Sequence, residues 1–242
     1  MKVIQPNCRI QFTAEDIEFI IQILGGNSSG FLIQLLTDAE ARDLILDNET
    51  LFHALLEQRG CLHVSNRFYF YVTVRQVLRG VGIEDRAVAD YVAEVLTEFS
   101  RAENVHGQIP GHPLDYFFEM MAALQTADER TRFYIRAHIG NHSLFLSGVF
   151  PERIRFRAEQ KGFPDLKYYE ELGRANYRVA RDHRLAQKFN LAPVFDILSE
   201  RFEPTRRALN NLAERIFSLG DYSPSINAIL EKFSDGTVPP SV

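Results

Sequence analysis

Apolar side chains recur every three or four residues along most of this chain, and many of these runs open on a residue able to cap a helix. That spacing gathers apolar side chains on one face of a helix, whereas a half-buried strand needs a period of two. Thr13 with Asp16 forms a capping-box pattern ahead of Ile17, Ile20, Ile21 and Leu24. Thr37 with Glu40 opens another, leading into Leu44 and Ile45, and Asn48 precedes Leu51, Leu55 and Leu56. Residues 84–101 place Val88, Tyr91, Val92, Val95, Leu96 and Phe99 on one face. Further helices are predicted at about 113–124, 128–149, 151–161, 166–184, 190–199, 201–219 and 224–233. Pro151 and Pro224 suit first-turn positions, where a missing N–H costs nothing. The expected fold is all-α, a single compact multi-helix domain of about ten helices over 1–233. A loop at 103–113, holding Gly107, Pro110, Gly111 and Pro113, separates its two halves. Residues 1–12 read as a short extended arm, from the alternation in Arg9-Ile10-Gln11-Phe12, and 234–242 as a flexible tail.

One segment speaks against its surroundings. Residues 68–74, Phe-Tyr-Phe-Tyr-Val-Thr-Val, are all aromatic or β-branched and favour a strand by propensity. Ser65 and Asn66 nevertheless offer caps, and Arg75-Gln76-Val77-Leu78-Arg79 continues at helical spacing. The segment is therefore assigned to a helix apolar nearly all round, central in a core or in a subunit contact.

Composition narrows the classes of function. With 45% apolar and 24% charged residues among 242, the chain can build a core without a disulfide or metal staple. A net charge of −5 supplies no field for nucleic acid, and no polybasic run addresses an anionic membrane. Arginines alternate with Glu and Asp, the pattern of solvated, ion-paired helix faces. The most apolar early segment, 19–24, is far shorter than the roughly 20 residues that span a bilayer. Cys8 and Cys61 stand in no CxxC or Cys/His spacing, which points to a reduced, cytoplasmic setting.

Three stretches together resemble a family of bacterial all-helical proteins without an assigned activity. They are Arg67-Phe68-Tyr69-Phe70-Tyr71-Val72, Leu144-Phe145-Leu146-Ser147-Gly148-Val149-Phe150-Pro151-Glu152-Arg153-Ile154, and Tyr168-Tyr169-Glu170-Glu171-Leu172-Gly173-Arg174-Ala175-Asn176-Tyr177. The resemblance covers most of the chain and implies a bacterial origin and a continuous helical fold. It carries no catalytic motif and leaves any cofactor unknown.

Polar residues that interrupt apolar faces mark the candidate sites. Over 128–149, Ile135, His138, Ile139, His142, Phe145, Leu146 and Val149 fall in one stripe, so two imidazoles one turn apart need buried partners. A metal is one such partner, with Asp115 and Glu119 of the preceding helix as oxygen ligands to His138 and His142. Carbonyls or Tyr hydroxyls would satisfy the same rings without a metal. Ala137, Gly140 and Gly148 on this helix leave room for neighbouring helices. In the helix 166–184, Tyr168, Tyr169, Leu172, Ala175 and Val179 read as the apolar face, with Asn176 and His183 inside it. A pocket lined by His138, His142, Tyr169 and Asn176 is the expected small-molecule site. The loop 25–30 lacks the Lys-Ser/Thr ending of a phosphate-binding loop and reads as a helix stop. Arg153, Arg155, Arg157 and Lys161 cluster around Phe156 but are diluted by Glu152 and Glu159, so they read as a solvated face.

Three functions follow in order of expectation. The first is a non-catalytic protein acting through self-association, as a homodimer, or through a protein partner, motivated by 68–74. The second is a binding protein for a small apolar ligand. The third is a metal-dependent enzyme built on His138 and His142.

Overall fold

A computed structural model describes residues 3–25, 29–57, 63–100, 107–109, 112–114 and 117–218. It is all-α, with thirteen α-helices among the described residues. Two compact units divide the chain: Asn7–Ala102 with Glu214–Val242, and Glu103–Ala213 with Met1–Pro6. No described helix is long and apolar enough to cross a membrane.

The first unit contains α1 (Ala14–Leu24), α2 (Ser29–Thr37), α3 (Ala39–Leu46), α4 (Glu49–Glu57), α5 (Asn66–Arg79) and α6 (Arg86–Ser100). Thr13 and Asp16 form the expected capping box on α1. Asp16 does more than cap, because its carboxylate also accepts from the Ser65 backbone N–H at 2.6 Å and from the Ser65 hydroxyl at 2.7 Å. Ser65 in turn accepts from the Phe68 N–H and starts α5, so one buried carboxylate sets the start of two helices. At α3 the cap is Asp38, which accepts from Ala41 N–H, one residue later than expected. The Thr37 hydroxyl instead donates to the Gln34 carbonyl.

The segment 68–74 lies within α5, and Phe68, Phe70, Tyr71, Val72, Thr73 and Val74 are buried against α6 and their neighbours in the same unit. Its all-round apolar surface is thus consumed as core. Of the two settings expected for it, core and subunit contact, the structure uses the core.

The N-terminal arm departs from expectation. Cys8–Gln11 is a 3₁₀ turn, and the alternation that suggested extension does not operate, since Ile10 is 76% exposed. Two carboxylates one turn apart on α6 reshape it. Asp90 accepts from the Cys8 backbone N–H at 2.6 Å and from Arg9, and Glu94 accepts the Cys8 thiol proton at 3.0 Å. Phe12 closes the arm edge-on against Phe68.

The second unit opens with two short antiparallel strands, β1 (Gly107–Ile109) and β2 (His112–Leu114), pairing Gly107 with Leu114; they overlap the stretch expected to be loop and run into the start of the helix expected from about 113, which instead begins at Phe117. There follow α7 (Phe117–Thr126), α8 (Glu129–Val149), α9 (Pro151–Lys161), α10 (Leu166–Arg181), α11 (Arg184–Lys188), α12 (Ala192–Glu200) and α13 (Phe202–Ser218), of which the part from Glu214 on is assigned to the first unit. Pro151 stands at the start of α9 as expected. The stretch 166–184 is two helices. His183 breaks it, its Nδ1 accepting from the Leu185 N–H at 3.1 Å as the cap of α11. The helix predicted at 224–233 and the tail at 234–242 lie outside the described residues.

α8 is the axis of this unit, packed by α10, α7 and α9 and buried almost all round over its second half. Glycine makes that possible. A Cβ on Gly140 would lie 2.7 Å from the Tyr177 ring of α10, and one on Gly173 of α10 would collide with the Phe202 ring. These approaches turn α10 so that Gly173, Asn176, Tyr177 and Ala180 face inward. The expected apolar face is corrected accordingly: Tyr168, Ala175 and Val179 are exposed, while Tyr169 and Leu172 sit at its half-buried edge.

Candidate functional site

His138 and His142 occupy one side of α8, with ring centroids 5.8 Å apart and planes inclined at 42°. His142 is buried and stacks on Phe117 of α7 at 5.0 Å, and Phe117 meets Tyr169 of α10 edge-on at 5.4 Å. His142 and Tyr169 therefore meet on the Phe117 ring, with His138 beside His142 one turn away. Burial pushes His138 down to about 4, so near neutral pH its ring is uncharged and too weak a base for proton abstraction.

Asn176 is not part of that cluster. Its side chain accepts from Arg136 Nη1 at 3.0 Å and donates to the Leu172 carbonyl at 2.8 Å, two protein partners that account for its burial. His183 has left the apolar face altogether to cap α11 and stack on Phe133. Glu119 lies half-buried on α7, while Asp115 falls outside the described residues, as does Cys61. Among the described residues no three His, Cys, Asp or Glu side chains come together as a metal centre. Of the basic cluster on α9, Arg155 pairs with Glu152, and Arg157 lies over the Phe163 ring at 4.2 Å.

The larger polar assembly lies in the first unit. Asp47 receives two-pronged hydrogen bonds from Arg75 (2.9 and 3.1 Å) and from Arg86 (3.0 and 2.7 Å). Arg9 grips Asp43 with one guanidinium nitrogen at 2.8 and 2.9 Å, and Arg67 grips Glu94 at 2.9 and 2.8 Å. Arg75, Asp90 and Glu94 are buried. The Arg–Asp/Glu alternation, read from the sequence as solvated faces, is in these places an interior lattice. A second such link in the other unit runs from Glu170 to Arg206 to Asn210, whose amide reaches the Ser147 carbonyl of α8. Burial alone would raise Asp47, but the hydrogen bonds from Arg75 and Arg86 hold its carboxyl below the usual range. At Asp90 burial prevails over Arg9 and the carboxyl is pushed up. Burial and the Glu94 carboxylate push the Cys8 thiol up, so it is protonated and a poor nucleophile.

One accessible feature stands apart from these closed interiors. On α10, exposed Tyr168 (43%), Ala175 and Val179 (51%) line one stripe, with Leu172 half-buried at its inner edge, where it packs on the core cluster of Met120, Leu124, Ile135 and Ile139; the four follow one another at spacings of four, three and four. This is the spacing of a seam that packs against another helix. Exposed Glu171 and Arg178 border it on the side away from the buried face.

The fold and these sites define an all-helical protein whose interior polar groups are largely engaged by one another and whose apolar stripe on α10 faces outward. No protein-family model matches the chain, and neither a curated protein nor a solved structure shows significant similarity to it.

Proposed function

We propose that this protein is non-catalytic and acts through association, with itself or with a protein partner, in the reduced cytoplasm of a bacterium. The single observation that carries the reading is the exposed stripe of α10. Apolar side chains at coiled-coil spacing lower their free energy when a second surface removes them from water. The segment that first motivated association, 68–74, no longer does so, because it is spent on core packing. A free, protonated, buried Cys8 supports the reducing setting. The resemblance to bacterial helical proteins without an assigned activity fits the same reading.

Native mass spectrometry of untagged protein, purified without chelator, tests this. A mass of two chains, or of one chain with another protein, released by Val179→Asp, is the expected result. A bare monomer at all concentrations overturns association. An added metal mass that vanishes in His138→Ala would transfer the function to the histidine pair, and a discrete organic adduct would transfer it to ligand binding.

A further inference from the structure

We propose that the partner of the α10 stripe is a second copy of this chain, paired antiparallel along α10. The inference rests on the association reading and names its occupant.

Charge placement selects the occupant. In the repeat that sets Tyr168 and Ala175 on one row of the seam and Leu172 and Val179 on the other, Glu171 and Arg178 both occupy the flank beside the first row. The opposite flank carries Tyr169 and Asn176, which turn toward the unit's own interior, so a single flank is open to a partner. In an antiparallel helix pair, each flank faces the same flank of its mate. Two-fold pairing then sets Tyr168 against Val179 of the second copy and Leu172 against its Ala175. The same arrangement brings Glu171 against Arg178 of the second copy, twice over. Acidic and basic residues seven apart, about the two-fold centre of a self-pairing helix, are self-complementary, which is what an isologous interface requires. Arg178 has no ion pair among the described residues and Glu171 has only Lys167 at 3.9 Å on the exposed surface, so both are available. Ala175 near the centre lets the two helices approach closely.

A seam of three exposed side chains and the outer edge of Leu172 per copy falls short of the roughly 800 Å² per partner of a standard interface. The dimer is accordingly concentration-dependent and weakened by salt.

Sedimentation equilibrium of the full chain over a wide dilution series decides the matter. The expected result is a monomer–dimer equilibrium weakened about tenfold by Glu171→Arg and by Arg178→Glu singly, through like charges facing across the seam. The double exchange restores it, and Val179→Asp abolishes it. All these positions are exposed, so the variants fold, as circular dichroism would verify. A monomer at every concentration overturns the pairing, and so does a dimer indifferent to the charge exchange. A complex with a different protein that Val179→Asp releases would overturn self-pairing while leaving association standing.

Discussion

At the scale of single residues, the interior is governed by whether each buried polar group finds a partner. Asp47 illustrates this. Removing its charge in Asp47→Asn leaves the buried Arg75 guanidinium with the Glu84 carbonyl and carboxylate as remaining partners, so the loss falls below that of a fully broken buried pair, at about 1.5–3 kcal/mol. Urea unfolding of the variant measures it; a loss under about 1 kcal/mol would mean that water already compensates Arg75. His138 makes a pH prediction of definite sign. Its folded value near 4 lies below the 6.5 of an unperturbed imidazole, so the unfolded chain binds the extra proton between them. This contribution is complete above about pH 6.5 and lost as pH falls toward 4, amounting to roughly 3 kcal/mol. Melting temperature followed from pH 7 to 4 should fall, and His138→Gln should flatten that fall. The imidazoles and Asn176 were legible in the sequence as polar intrusions in apolar stripes. Their partners were not, because Arg136 reaches Asn176 across 40 positions of sequence, and periodicity carries no information about such distances.

At the scale of elements, local chemistry predicted where most helices begin and end. The helical assignment of 68–74 against its strand propensity rested on Ser65 and the spacing beyond it, and Ser65 is the cap. Helix faces were less legible. α10 was read from its apolar residues, yet its glycine and its Tyr177 decide which side meets α8. A helix packs where backbones can approach most closely, and this outweighs a ranking of side chains by hydrophobicity. Gly140→Ala should therefore cost about 1–3 kcal/mol, since the added methyl meets the face of the Tyr177 ring. Gly148→Ala should cost less, because the atoms it meets belong to the Leu209 side chain at 3.0 Å, which can shift. Thermal unfolding of the two variants side by side checks the order, and equal stability would contradict the close approach of α8 and α10.

At the scale of the whole molecule, the chain forms two compact units. Folding and assembly draw on different surfaces. Val179 is half exposed, so Val179→Asp should leave the unfolding free energy within about 0.5 kcal/mol of the parent while abolishing association. A variant that lost stability and assembly together would place Val179 in the fold and not in an interface.

By itself the sequence determined the all-helical class, most helix starts, the apolar character of α5 and the presence of polar groups within apolar stripes. All of these are local, set by caps and by a period of 3.6 residues. Only the tertiary structure decided which side of α10 is buried, that Arg–Asp pairs read as solvated form an interior lattice, and that the arm at Cys8 folds onto Asp90 and Glu94. Those outcomes depend on which distant side chains meet. Desolvation, close glycine contacts and paired charges take their values from that meeting and from nothing a local pattern contains.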